Sequence, residues 1–153
     1  MSGSDLFDKA RRAAYKYLTY RSRTEYEIKE KLLKKGFDAE TVGQVIGSLR
    51  EYRMLDDGAY ADRYVAGRQN YSRAELSGKL RSLGIRKSVI NGALESIDTE
   101  AEFRIAVAQV MNRKKRRAEG YTLEKAADFL RRRGFDLEVV DRVCHYLENM
   151  HQS

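Results

Sequence analysis

The sequence predicts an all-α protein made of three tandem three-helix repeats, helix-turn-helix-like units joined in an elongated, curved array. The first observation behind this prediction is a pattern, L-x-x-x-G followed by a bulky apolar residue. It occurs three times, at Leu32 to Phe37, Leu80 to Ile85 and Leu130 to Phe135. The three glycines lie 48 and 50 residues apart, and self-similarity at such a period is typical of repeat proteins.

The second observation is a helical pattern after each glycine. Apolar residues stand 6, 9, 10 and 13 positions past it, spacings that share one helix face. They are Val42, Val45, Ile46 and Leu49, then Ile90, Ala93, Leu94 and Ile97, then Val140, Val143, Cys144 and Leu147. The expected layout is a lead-in at 1–12, repeats at 13–57, 58–98 and 99–149, and a tail at 150–153. The third repeat carries a basic insertion, expected to be a loop, at 113–121.

Each repeat begins with a helix that carries a recurring trio of residues at offsets 0, 4 and 7. These trios are Ala14, Leu18 and Arg21, then Ala61, Val65 and Arg68, then Ala106, Val110 and Arg113. A second helix follows, with Thr24, Ser72 or Thr122 as its N-cap. Glu27 and Glu75 complete capping boxes, whereas Lys125 replaces the Glu in the third repeat. Gly36, Gly84 and Gly134 have a structural role, because glycine ends a helix in the left-handed conformation.

Composition favours a helical protein of the cytoplasm. Charged residues make up 35% of the chain, and both Pro and Trp are absent. No apolar segment approaches the roughly 20 residues of a membrane-spanning helix, and the first residues lack the apolar core of a signal peptide. The single cysteine, Cys144, falls in the apolar register of the last helix, so we expect it in the core rather than as a reactive thiol.

The pattern of polar residues does not favour an enzyme. The adjacent carboxylates Asp56 and Asp57 allow two interpretations, an acid/base or Mg²⁺ site, or a structural helix start before Ala59. Neighbours in sequence rarely point at one substrate atom, so we assign both a structural role. The sequence has no phosphate-binding glycine motif and no metal-ligand spacing. We therefore expect no catalytic residues, no metal and no cofactor.

Charge gives the remaining information. The net charge is +7, and it concentrates in the first and second helices of the repeats. Residues 21–35 hold six basic and three acidic groups, and residues 113–133 hold nine and three. The third helices of repeats 1 and 3 are acidic instead. A recognition helix must offer basic or amide groups to base edges, so contact with a phosphate backbone is the better interpretation.

We predict that the basic residues bind a polyanion or an acidic protein surface. For the run at 113–117 a simpler interpretation stays open, a solvated helix end that offsets the helix dipole. Nearby tyrosines could stack on bases or pack between repeats. The candidate binding residues are Arg21, Arg23, Lys31, Lys35, Arg68, Arg73, Lys79, Arg81, Arg113, Lys114, Lys115, Arg116, Arg117, Arg131, Arg132 and Arg133.

These residues together resemble the RecX family, bacterial regulators of the RecA recombinase. The resemblance covers about residues 10–149 and is most specific at the junction L-D-D-x-x-Y-A, Leu55 to Ala61. It implies a monomer that binds along the groove of the RecA–DNA filament and contacts DNA weakly through its backbone. Such a protein would limit filament extension or activity in homologous recombination, DNA repair and the SOS response. The alternative is a sequence-nonspecific nucleic-acid-binding module without a recombinase partner.

Overall fold

The computed structural model describes residues 2–117 and 119–151. Across these residues all regular structure is α-helical, which confirms the all-α prediction. Residue 1, residue 118 of the expected insertion and residues 152–153 of the expected tail lie outside the described residues. The described helices are α1 (Gly3–Tyr20), α2 (Glu25–Lys34), α3 (Ala39–Glu51), α4 (Asp57–Ala66), α5 (Arg73–Ser82), α6 (Lys87–Leu94), α7 (Thr99–Arg116), α8 (Leu123–Arg132) and α9 (Leu137–His151).

The chain forms two compact units, each made of two segments. The first unit contains Met1–Tyr64 and Leu80–Ala93, and the second contains Val65–Lys79 and Leu94–Ser153. The division passes through α4, α5 and α6, so each unit combines three complete helices with parts of the middle three.

The core of the first unit lies where α1, α2 and α3 pack on one another. Its apolar side chains occupy the positions that the helical periodicity predicts, and Ile28 and Leu32 are fully buried on α2. Such close-packed burial stabilises by about 25 cal/mol per Å² of apolar surface removed from water. The buried cluster consists of Ala10, Ala14, Ile28, Leu32, Val42, Val45, Ile46, Leu49 and Leu55.

The core of the second unit has the same construction from α7, α8 and α9. Its buried cluster consists of Ala106, Val110, Ala126, Phe129, Leu130, Phe135, Val139, Val140, Val143 and Leu147. Cys144 packs at the edge of this cluster and stays partly exposed. Burial raises the pKa of its thiol, which keeps the sulfur protonated and poorly nucleophilic.

Three helix ends differ from the expected layout. α1 begins at Gly3, within the expected lead-in, because Ser2 caps it by accepting a hydrogen bond from the Asp5 amide. α7 continues to Arg116, so most of the basic run is helical rather than a loop. Its last turn is basic, which the helix dipole favours. α6 ends at Leu94, and Ile97 is buried beyond the helix end.

Candidate interaction surface

The N-terminus of α2 is fixed by a hydroxyl that forms two hydrogen bonds. Thr24 Oγ1 accepts from the Glu27 amide at 3.2 Å and donates to the Leu83 carbonyl at 2.7 Å. The Glu27 carboxylate accepts in return from the Thr24 amide, completing the capping box. Thr24 is fully buried, so this start of α2 is bound to the end of the α5 segment in the same unit.

The second unit repeats this arrangement at the start of α5. Ser72 Oγ accepts from the Glu75 amide at 3.0 Å and donates to the Arg133 carbonyl at 3.2 Å. The Glu75 carboxylate accepts from the Ser72 amide at 3.1 Å. Ser72 is fully buried as well. Thr122 caps α8 by accepting from the Lys125 amide, but it is exposed.

A carboxylate near the start of a later helix, α4 or α7, accepts from the next free amide at each of these helix starts. Asp57 accepts from the Glu25 amide at 3.0 Å in the first unit, and Glu102 accepts from the Arg73 amide at 2.9 Å in the second. Burial raises the pKa of both carboxyls, although these hydrogen bonds lower it in part. Each carboxylate therefore satisfies an amide that the helix itself leaves unpaired.

Asp56 and Asp57 serve different parts of the structure. Asp56 accepts from the Ala59 amide at 3.0 Å and so begins α4, as the capping interpretation predicts. Asp57 points to α2 instead, a contact that its sequence neighbours do not indicate. Both carboxylates are thus occupied by backbone amides. Among the described residues no three His, Cys, Asp or Glu side chains are placed to hold a metal ion.

Gly36, Gly84 and Gly134 all have left-handed backbones, with φ of +102°, +81° and +88°. A Cβ on Gly36 would meet open space, so only its backbone conformation favours glycine. A Cβ on Gly84 would lie 2.2 Å from the Cβ of Tyr26, and one on Gly134 would lie 2.7 Å from the Cβ of Ala74. The second and third glycines therefore also permit a close approach of two chain segments.

The candidate basic residues in and beside α1 and α2 lie next to two tyrosines, of which Tyr17 is partly buried and Tyr20 is exposed. The Lys31 and Lys35 ammonium groups lie 5.0 and 5.6 Å from the centre of the Tyr17 ring. The Arg23 guanidinium lies 5.9 Å from the ring centre of Tyr20, which is 82% exposed. Such pairs hold a cation over an aromatic face and leave its outer side accessible to an anion. Arg21 forms an ion pair with Glu27 at 2.9 Å.

The candidate residues of the middle repeat lie on the surface, divided between the two units. Arg68, Arg73 and Lys79 belong to the second unit, and Arg81 belongs to the first. All four are exposed. Arg73 donates to Glu102 through its backbone amide, and its guanidinium takes no part in that hydrogen bond.

The candidate residues of the third repeat differ in their contacts within the protein. The Arg113 and Arg133 guanidinium groups lie 4.6 and 4.9 Å from the Phe129 ring centre, and Arg133 also pairs with Glu75 at 3.1 Å. Arg131 and Arg132 are exposed and bond to Asp128, through its carboxylate and carbonyl respectively. Lys115, Arg116 and Arg117 are exposed, and Lys114 is partly buried.

One basic groove in the first unit joins the predicted Lys35 to three cations that were not predicted. Lys9, Arg12 and Lys16 of α1 line it together with Lys35, and it encloses about 540 Å³. Leu6 and Phe37 are among its apolar lining residues. The i, i+3, i+7 spacing of the three α1 cations is a signal in the sequence that could have identified it.

Comparison with known proteins identifies the family. Residues 10–49 match the family model described as RecX, first three-helix domain. A regulatory protein RecX of Clostridium perfringens is 30% identical over 151 residues, which are 95% of this chain and 71% of the relative. The chain belongs to the RecX family.

Other RecX proteins are similar to this chain in sequence or in fold. One from Clostridium botulinum (strain Alaska E43) is 30% identical over 94% of this chain and 70% of its own. The crystal structure of RecX from Lactobacillus salivarius has a TM-score of 0.86 at 21% identity, covering 95% of this chain and 98% of that one. A crystal structure of regulatory protein RecX has a TM-score of 0.84 at 26% identity, covering 92% and 72%. No described helix of this RecX-family chain meets the length and hydropathy needed to cross a membrane.

Proposed function

We propose that this RecX-family protein is a non-enzymatic regulator, mainly an inhibitor, of the RecA recombinase. It binds as a monomer along the groove of the RecA–DNA filament in the cytoplasm and limits filament extension or activity. The observation that carries the proposal is family membership over 95% of the chain. Basic side chains that recur on the second helices support it, since several weak contacts to a repeating filament add to a strong one.

The exposed charges of the third helices support backbone contact over base reading. α3 carries exposed Glu40 and Glu51, and α9 carries exposed Glu138 and Asp141. A helix in the major groove passes between two phosphate backbones, and carboxylates there are repelled. The cations that meet DNA or acidic RecA surface are instead those of α2, α5, α7 and α8, named above as candidate residues.

The proposal is tested by the ATPase activity of RecA on single-stranded DNA. Adding this protein at substoichiometric to equimolar ratios should lower the ATPase rate, and electron microscopy should show shorter filaments. An unrelated basic protein of equal net charge is the control for competition for DNA. An unchanged ATPase rate at equimolar protein would refute the proposal.

A second candidate is nucleic-acid binding without a recombinase partner. The exposed Tyr20 ring beside Arg23 favours it, because a base can stack there while the arginine meets a phosphate. Titrating salt against single-stranded DNA binding separates the two. Tight binding without RecA, with a log–log slope of roughly −0.7 for each of several phosphates, would support this second function.

A further inference from the structure

One arginine has a backbone conformation that normally belongs to glycine. α3 ends at Glu51, and Arg53, two residues later, has φ of +57°. It is the only described residue other than glycine with a positive φ. The Met54 amide closes this turn on the Leu49 carbonyl at 2.8 Å, the bond of a helix end where glycine is the favoured residue. Glycine would suit the backbone better at this position.

The Arg53 side chain forms no hydrogen bond or ion pair within the described part of the protein that would offset the cost of this backbone conformation. The side chain is exposed. It lines a cavity of about 300 Å³ together with Arg23 and Arg63. Arg23 Nε is buried there without a hydrogen-bond partner. Three arginines thus line a space to which the protein contributes a single carboxylate, Asp56, and that carboxylate accepts from the Ala59 amide.

The side chains in and beside this cavity include exposed apolar and aromatic groups. Leu18 and Met54 line it, and Met54 is 43% exposed. Tyr20 lies beside Arg23, and Tyr52 adjoins Arg53; both rings are mostly exposed. Arg, Tyr and Met are enriched at protein interfaces, and Arg and Tyr also in binding hot spots. Lys is depleted at interfaces, and no Lys lines this cavity.

We propose that this cavity, the Arg53 pocket lined by Arg23, Arg53, Arg63 and Met54, binds an Asp or Glu side chain presented by an apolar segment of a protein partner. The arginine fork pairs with a carboxylate through two parallel hydrogen bonds. Met54 and Leu18 cover the apolar neighbours of that carboxylate. The Asp56 carboxylate also lines the pocket, which disfavours a continuous run of phosphates. The proposal rests on the proposed function, with RecA as the partner.

The test exploits the unusual backbone of Arg53. Arg53→Gly relieves the left-handed strain and should raise Tm by about 2–4 °C. The same change removes one carboxylate contact, so the concentration needed for half-maximal inhibition of RecA ATPase should rise about tenfold. Arg63→Gln should weaken inhibition similarly without raising Tm. Arg104→Gln, which removes the same charge from an exposed site outside the pocket, should change neither.

The possible results separate a failure of the pocket proposal from a failure of the proposed function. If wild-type protein does not inhibit RecA, both proposals fail. If wild-type protein inhibits RecA and Arg53→Gly and Arg63→Gln do so equally well, only the pocket proposal is overturned. A loss of binding to a (dT)30 oligonucleotide without RecA, equal to the loss on the filament, would assign the pocket to nucleic acid and overturn the protein partner. Unchanged (dT)30 binding with tenfold weaker inhibition supports the proposal.

Discussion

Replacing single glycines by alanine separates backbone conformation from close packing in this fold. Gly36 and Gly84 both have a left-handed backbone at the end of a second helix, but only Gly84 meets a neighbouring side chain. Gly36→Ala is therefore a matched control for Gly84→Ala. The two substitutions add the same methyl group to the same type of turn.

The structure gives the size of each effect. A left-handed non-glycine residue costs about 1–2 kcal/mol, and this is the whole cost that we expect for Gly36→Ala. In Gly84→Ala the new Cβ lies 2.2 Å from the Tyr26 Cβ and 2.3 Å from its Cγ, so at least one of the two segments must move. Overpacking adds about 1–3 kcal/mol. Gly84→Ala should lower the free energy of unfolding by about 2–5 kcal/mol in total.

Urea unfolding followed by circular dichroism at 222 nm measures both variants. The double variant Gly84→Ala with Tyr26→Gly removes the side chain that clashes, and Tyr26→Gly alone completes the cycle. The cycle should show a favourable coupling of about 1–3 kcal/mol. Equal destabilisation by Gly36→Ala and Gly84→Ala, or an absence of coupling, would refute the close approach of these segments.

Three further predictions follow from the described contacts. Thr24→Val should lower the free energy of unfolding, measured in urea, by about 2–4 kcal/mol, and Thr122→Val should lower it by about 1 kcal/mol. The difference arises because both hydroxyls cap a helix but only Thr24 also donates to a carbonyl. Equal losses would contradict this prediction. The folded state raises the pKa of Asp57, so the protein loses stability as pH rises through that pKa and this carboxyl ionises. The Tm of Asp57→Asn relative to wild type should therefore increase between pH 4 and 7, whereas a constant difference would contradict this prediction. Neutral glutamines at 114–117, sparing Arg113, should keep helicity but weaken filament binding in a co-sedimentation assay, and undiminished binding would make this run a solvated helix end.

The helices and their buried faces were predictable because both depend on local sequence. The capping box at Thr24, the glycine ends and the apolar periodicity each involve residues within about a dozen positions of one another. The length of α7 was not predictable in this way. The basic run at 113–116 contains only good helix formers, so whether it is a link or a last helical turn depends on where the following segment packs.

The apolar periodicity of the sequence could not predict contacts between segments that are distant in sequence. The partner of Thr24 is a carbonyl 59 residues away, and Asp57 has a partner on α2 that its neighbours do not indicate. The sequence also does not predict the left-handed conformation of Arg53, because arginine is not a typical turn residue. Periodicity identifies which face is buried, but only the folded chain shows which backbone groups meet across that face.

The hydroxyl groups of Thr24 and Ser72, each of which forms two hydrogen bonds, affect how the chain unfolds. In each unit one oxygen atom both begins a second helix and connects it to a residue directly before a later glycine turn, Leu83 before Gly84 and Arg133 before Gly134. Separating those segments leaves a buried hydroxyl proton unpaired and loosens the cap, so neither event proceeds independently of the other. Opening within each unit is thereby made cooperative by a group of two atoms.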